Sequence, residues 1–192
     1  MKSLKNIIFC TLVLILMSAC SSSQQKNKKN ETQSKPNIIL LVADDLGFSD
    51  IGPFGGDIQT PVLDKLAKEG MLFSSFHVLP TCSPTRSVLL TGKDNHITGL
   101  GTMSEMTYPA LKGLPGYSGH LNEQVVTIPE ILQQHGYHTY MAGKWHLGEE
   151  EGQTPEDRGF EESFALLQGG GSHYADQNPL SIPIGMDYMV NG

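Results

Sequence analysis

Three small groups of residues have the types and spacing to handle an anion. The first is Cys82, Pro84 and Arg86 in "TCSPTRSVLLTG", which lie where a helix is about to begin. A cysteine at a helix N-terminus beside an arginine can be a depressed-pKa thiolate nucleophile. A buried unpaired cysteine is alternatively a small hydrophobe. The second group is Lys144 and His146, separated by Trp145. In an extended segment both side chains point to one face, so both can reach one anion, and a histidine titrates close enough to neutrality to move its protons. The third is the adjacent pair Asp44 and Asp45. Two carboxylates suit a hard divalent cation that prefers oxygen ligands, and equally suit a polar turn.

Cysteine usage sharpens the first group. The chain has three cysteines, and Cys10 and Cys20 both lie in "MKSLKNIIFCTLVLILMSACSSS". Lys2 and Lys5, the apolar run 7–17, and Ser18 and Ala19 before Cys20 have the layout of a secretory signal peptide. The run 7–19 is shorter than the ~20 apolar residues needed to span a bilayer. Its end resembles the lipobox of bacterial lipoproteins, with Met17 in place of the usual leucine. That resemblance implies cleavage after residue 19 and a lipid on Cys20, with Ser21 directing the protein to the outer membrane. Cys10 then leaves with the signal, and Cys82 is left without a disulfide partner in an export compartment, the mark of a candidate reactive group.

The elements that must position these groups follow from the rest of the chain. Residues 20–35 hold no apolar residue beyond Cys20 and read as a polar tether. Residues 36–192 fall in the size range of one domain. A net charge of -7 and a sequence pI near 5.4 argue against a nucleic-acid partner. "NIILLVADD", residues 37–45, has the continuous apolar run of a strand covered on both faces in a parallel sheet, and would deliver Asp44 and Asp45 to its carboxyl end. Thr60, Pro61 and Gly70 bracket a short amphipathic helix, and "MLFSSFHVL", residues 71–79, reads as a second strand. Pro84 suits a first helical turn, with Val88, Leu89 and Leu90 on the buried face. "TIPEILQQHG" repeats the pattern of cap, proline and stop, and "YHTYMAG" is another strand. Strands alternating with helices predict an α/β domain with a mostly parallel sheet and flanking helices, in which sites gather at the carboxyl ends of strands.

Taken together, "CSPTRSVLLTG", "GYHTYMAGKWHLG" and "PNIILLVADDLGFSDIG" resemble, in the family's own order, the two signatures and the N-terminal metal-binding strand of the sulfatases, members of the alkaline phosphatase superfamily. That resemblance implies an alkaline phosphatase-like fold and hydrolysis of aryl or carbohydrate sulfate esters. It implies that Cys82 is oxidised to formylglycine by a formylglycine-generating enzyme that reads Pro84 and Arg86. It also implies that Asp44, Asp45 and the modified Cys82 bind Ca²⁺, or Mg²⁺, that Arg86 steadies the hydrated aldehyde, and that Lys144 contacts both the aldehyde and the sulfate. His146 would take a proton from the hydrate. A sulfated small molecule or glycan is the implied substrate.

The family completes its metal site with a downstream aspartate and a neighbouring asparagine or glutamine, and "MDYMVNG" precedes any such motif. The expectation is therefore the N-terminal part of a sulfatase catalytic domain over residues 36–192, inactive by itself, with open sheet edges. Two other functions fit these motifs: a phosphate or phosphonate monoester hydrolase using the same modified cysteine, and a non-catalytic surface lipoprotein that binds carbohydrate sulfates. His77 and His96 have no partner pattern, and His173 is a candidate to face substrate outside the catalytic set. The Gly-rich "QGGGSHYADQ" lacks the Gly-Lys-Ser/Thr ending of a P-loop.

Overall fold

The computed structural model describes residues 34–171 and 188–191. The expected signal segment, Cys20, most of the tether and His173 lie outside the described residues. The chain divides into two compact units, residues 1–43 and 44–192.

In the first unit, residues 34–43 form neither helix nor strand, and the run 38–42 is exposed, with Leu41 at 82%. The strand expected over 37–45 is therefore absent. A continuous apolar run signals a strand with ladder partners on both edges and layers on both faces, and this segment enters no ladder. Asp44 and Asp45 consequently sit in a bend, with Asp45 at φ 55.

In the second unit, helix α1 is Pro61–Glu69, with Pro61 in the first turn and the Gly70 N–H closing on the Leu66 carbonyl. Thr60 does not cap it, because its hydroxyl accepts the Gly52 N–H at 2.9 Å. The apolar stripe of α1 is uncovered, with Leu66 57% exposed. Residues 71–79 also differ from expectation: they form no strand, contain a turn at 74–75 and leave Met71, Phe73 and Phe76 exposed.

The packed part begins at helix α2, Cys82–Thr91, which Gly92 ends in the left-handed conformation at φ 64. Its buried residues are Ser83, Pro84 and Ser87, whereas Val88, Leu89 and Leu90 are half-buried. The reason is a polar seam: Ser87 Oγ accepts from Thr98 Oγ1 at 2.9 Å and donates to the Pro84 carbonyl at 2.8 Å. Small polar side chains let α2 approach the 95–100 turn closely. Helix α3, Ile128–Gln134, carries a capping box in which Thr127 and Glu130 satisfy each other's backbone N–H groups.

Three strands follow in spatial order: β1, Tyr140–Lys144; β2, Glu162–Leu166; and β3, Tyr188–Val190. β1 pairs parallel with β2, Lys144 opposite Leu166, and β3 is antiparallel to β2, so the sheet is mixed. Beyond β1 the pairing continues, with the Trp145 and His146 N–H groups bonding to the Leu166 and Leu167 carbonyls at 2.8 and 3.0 Å. The core of Leu100, Leu121, Val125, Trp145, Leu147, Ala165 and Leu167 packs around this extension. Trp145 lies edge-on to Phe160 and donates its indole N–H to the Gln153 carbonyl at 2.8 Å. Buried Arg158 bonds to Glu130 and to the carbonyls of Leu121, Asn122 and Val125. It ties α3 to the 121–125 loop with charge-assisted bonds.

Candidate active site

The first turn of α2 sets the position of Cys82. Thr81 is extended at φ -131 and ψ 157, so the chain enters the helix at residue 82. Thr81 makes no side-chain cap; the turn is held instead by Thr85, whose hydroxyl bonds to the Thr81 and Leu79 carbonyls at 2.8 and 3.0 Å. Cys82 is half-buried and is the free cysteine of the described residues. Its Sγ lies 3.3 Å from His146 Nδ1 and 3.3 Å from Met103 Sδ. The encoded thiol stands where the oxygens of formylglycine would be if residue 82 is modified.

His146 is 5% exposed and has φ 60. Left-handed backbone is uncommon outside glycine, and it means that the simple alternation of an extended strand does not run through to His146. His146 turns to Cys82 at the start of α2, whereas the Lys144 side chain turns to Asp44. The Lys144 Nζ lies 3.1 Å from Asp44 Oδ2, and Arg86 donates to the Lys144 carbonyl at 2.7 Å and to Asp44 Oδ1 at 3.4 Å. Asp44 thus bridges two largely buried cations. Burial pushes the Asp44 carboxyl up, but the hydrogen bond and charge of Lys144, joined by Arg86, outweigh it and hold it below the usual carboxylate range.

The metal expectation fares differently. Among the described residues no group of three or more His, Cys, Asp or Glu side chains is placed to hold a metal ion. Asp44 faces Lys144 and Arg86, Asp45 is exposed, and Cys82 faces His146 and Met103. As donors, two carboxylates suit a hard cation in kind, but fall short of the six to eight oxygens Ca²⁺ takes.

Three residues beyond the expected set belong to this site. Glu105, in a short 3-10 turn, places Oε1 3.1 Å and Oε2 3.3 Å from His146 Nε2. The hydrogen bond from His146 is the main cause holding the Glu105 carboxyl down at about 2, against burial, which raises it. Met103 walls Cys82. Gly169 lies against the Cε1–Nε2 side of the imidazole: a Cβ there would stand 2.5 Å from His146 Cε1 and 2.9 Å from Glu105 Oε1. Glu105 is 41 residues from His146 along the chain, so no local pattern links them. The run of three glycines was the one sequence signal for Gly169. His77 and His96 are engaged elsewhere, with Ser75 and with Tyr117.

The family model described as Sulfatase matches residues 36–186. The chain belongs to the sulfatase family. It is 55% identical over 152 residues to an uncharacterized sulfatase of Schizosaccharomyces pombe, covering 78% of this chain and 27% of that protein. It is 47% identical over 148 residues to the arylsulfatase of Klebsiella aerogenes, covering 77% of this chain and 32% of that one. The chain therefore spans about a quarter to a third of the length of these curated relatives. Among solved structures it is similar to Ps i-CgsB in complex with k-i-k-neocarrahexaose, with a TM-score of 0.63 and 36% identity over 74% of this chain and 30% of that one. The α/β fold class is that of the sulfatases, although within the described residues the sheet is small and mixed.

Proposed function

We propose that this sulfatase-family chain carries the nucleophile-bearing part of a sulfate monoester hydrolase. The observation that supports it most is the contact of Cys82 Sγ with His146 Nδ1 at 3.3 Å, at the mouth of α2 and beside the Arg86–Asp44–Lys144 cluster. Oxidised to formylglycine and hydrated, residue 82 would supply one hydroxyl to attack sulfur and displace the alcohol of the ester, and a second whose loss of a proton re-forms the aldehyde and expels sulfate. His146 Nδ1 is placed to accept that proton. Lys144 and Arg86 would supply positive charge to the sulfate oxygens, and Asp44, paired with both, orients their side chains. Asp44 and Asp45 would contribute to a site for Ca²⁺, or Mg²⁺, which supplies further charge neutralisation for the ester oxygens.

Sulfated glycans are the substrate class we favour, because a similar structure holds a carrageenan-type oligosaccharide. A formylglycine-generating enzyme is the implied partner, reading Pro84 and Arg86. Lipid anchoring at Cys20 would place the protein on the cell envelope, at the outer membrane. Because Asp44 and Asp45 fall short of the six to eight oxygens Ca²⁺ takes, we expect the 192-residue chain by itself to turn over aryl sulfates weakly if at all. The test is co-expression with a formylglycine-generating enzyme, peptide mass analysis around residue 82, and assay with paired aryl sulfate and aryl phosphate. Formylglycine with selective sulfate release, in this chain or in a longer protein carrying it, supports the proposal. A residue 82 that stays a thiol, or hydrolysis that favours phosphate, contradicts it.

A further inference from the structure

The contact between Glu105 and His146 has a chemical direction. Glu105 places both carboxylate oxygens within 3.3 Å of Nε2, and Ser104 Oγ donates to Oε2 at 3.2 Å. An ionised carboxylate only accepts hydrogen bonds. Nε2 must therefore carry the proton, since a bare Nε2 would set a lone pair against the carboxylate oxygens at that distance. In a neutral imidazole the other nitrogen is then the acceptor, and that nitrogen, Nδ1, is the one facing residue 82.

The ring has little freedom to do otherwise. It is 5% exposed, its backbone N–H is fixed to the Leu167 carbonyl, and Gly169 covers the edge that bears Cε1 and Nε2. The fit at Gly169 is close enough that a single methyl group would collide with both members of the pair.

We propose that Glu105 is a positioning residue that fixes His146 as the Nε2–H tautomer and so leaves Nδ1 free to accept a proton from the group at residue 82, with Gly169 as the steric stop that keeps the pair in register. Glu105 acts through His146 and does not touch residue 82. A carboxylate behind a working histidine also fixes its orientation. This inference rests on reading His146 as the proton acceptor of the proposed hydrolysis, but it makes a claim about the ring that is independent of modification.

The experiment is long-range ¹⁵N–¹H correlation NMR on the ¹⁵N-histidine-labelled 192-residue chain, with His146 assigned by its loss in His146→Gln. The parent should show the Nε2–H pattern at His146. Glu105→Gln, nearly isosteric, removes the charge and can donate as well as accept, so the pattern should move toward a tautomer mixture. Glu105→Asp should restore at least part of the parent pattern, and Gly169→Ala should disturb it with the carboxylate intact. An Nδ1–H ring in the parent, or a pattern unchanged in Glu105→Gln, overturns the proposal. In a longer protein that turns over aryl sulfates, Glu105→Gln should lower kcat about 10–100-fold with KM nearly unchanged. A change confined to KM would also overturn it. Absence of formylglycine at residue 82 would sink the hydrolase reading and leave the NMR result standing, so the two failures are distinguishable.

Discussion

Residues 44–79 and residues 82–168 lie in the same compact unit and carry similar apolar content, yet they end in opposite states. In the first stretch the apolar side chains of α1 and of residues 71–78 face outward. In the second, Trp145, Leu147, Ala165 and Leu167 are buried around a parallel strand pair. The difference lies in partners. β1 has β2 beside it, Trp145 just after β1 has Gln153 and Phe160 against it, and the Leu147 carbonyl takes the Leu121 N–H. Apolar pattern tells which surfaces want burial; it does not supply the ladder or the covering layer.

Arg158→Ala should break the packed region most severely. It would leave the Leu121, Asn122 and Val125 carbonyls without their charged donor and break the pair with half-buried Glu130, and removing one partner from a buried charged network costs about 3–5 kcal/mol. Urea unfolding should show most of the cooperative transition lost. A matched pair of leucine truncations measures the contrast directly. Leu147, at 0% exposure, should cost about 2–5 kcal/mol when changed to Ala. Leu66, at 57%, should stay within about 0.5 kcal/mol. Comparable losses at both sites would mean that α1 is covered in solution.

Thr127→Ala sharpens the comparison of caps. Thr127 accepts from Glu130 and donates to the Arg158 carbonyl at 2.8 Å, while Thr60 makes no cap on α1. The first loss should cost about 1–2 kcal/mol and the second less, both readable as shifts in urea midpoint. The remaining effect is electrostatic and is read through its pH dependence. Glu105 has its carboxyl lowered from 4.5 to about 2 in the folded protein, so its contribution to stability is complete above pH 4.5 and is lost as pH falls toward 2. Glu105→Gln should flatten that segment of the stability-pH curve, followed by chemical denaturation at each pH.

Legibility in the sequence divided along the same line. The proline and stop of α1 and the cap and proline of α3 were readable because a helix is specified locally: Pro61 and Gly70 bracket one and Thr127 opens the other, whereas the cap expected at Thr60 is not made. β1 was readable too. The strands expected over 37–45 and 71–79 were not formed, because a strand depends on neighbours that a local pattern cannot name. At the site, Cys82, Arg86, Lys144 and His146 were marked by spacing, and Asp44 meets Lys144 and Arg86 from 100 and 42 residues away. Glu105 escaped because nothing in its own stretch marks a carboxylate whose meaning comes from a histidine 41 residues on. The separate partners of Lys144 and His146 were also hidden, since φ 60 at His146 replaces the regular alternation of a strand.

The most direct test of the proposed function is the chemical state of residue 82. With a formylglycine-generating enzyme present, mass analysis of the peptide around residue 82 should find the aldehyde in place of the thiol, and Arg86→Ala should reduce that conversion. A peptide that carries only an alkylatable thiol under those conditions, with Pro84 and Arg86 intact, would contradict the account: Cys82 would then be an unmodified cysteine packed against His146 and Met103, without the hydrate on which the proposed hydrolysis depends.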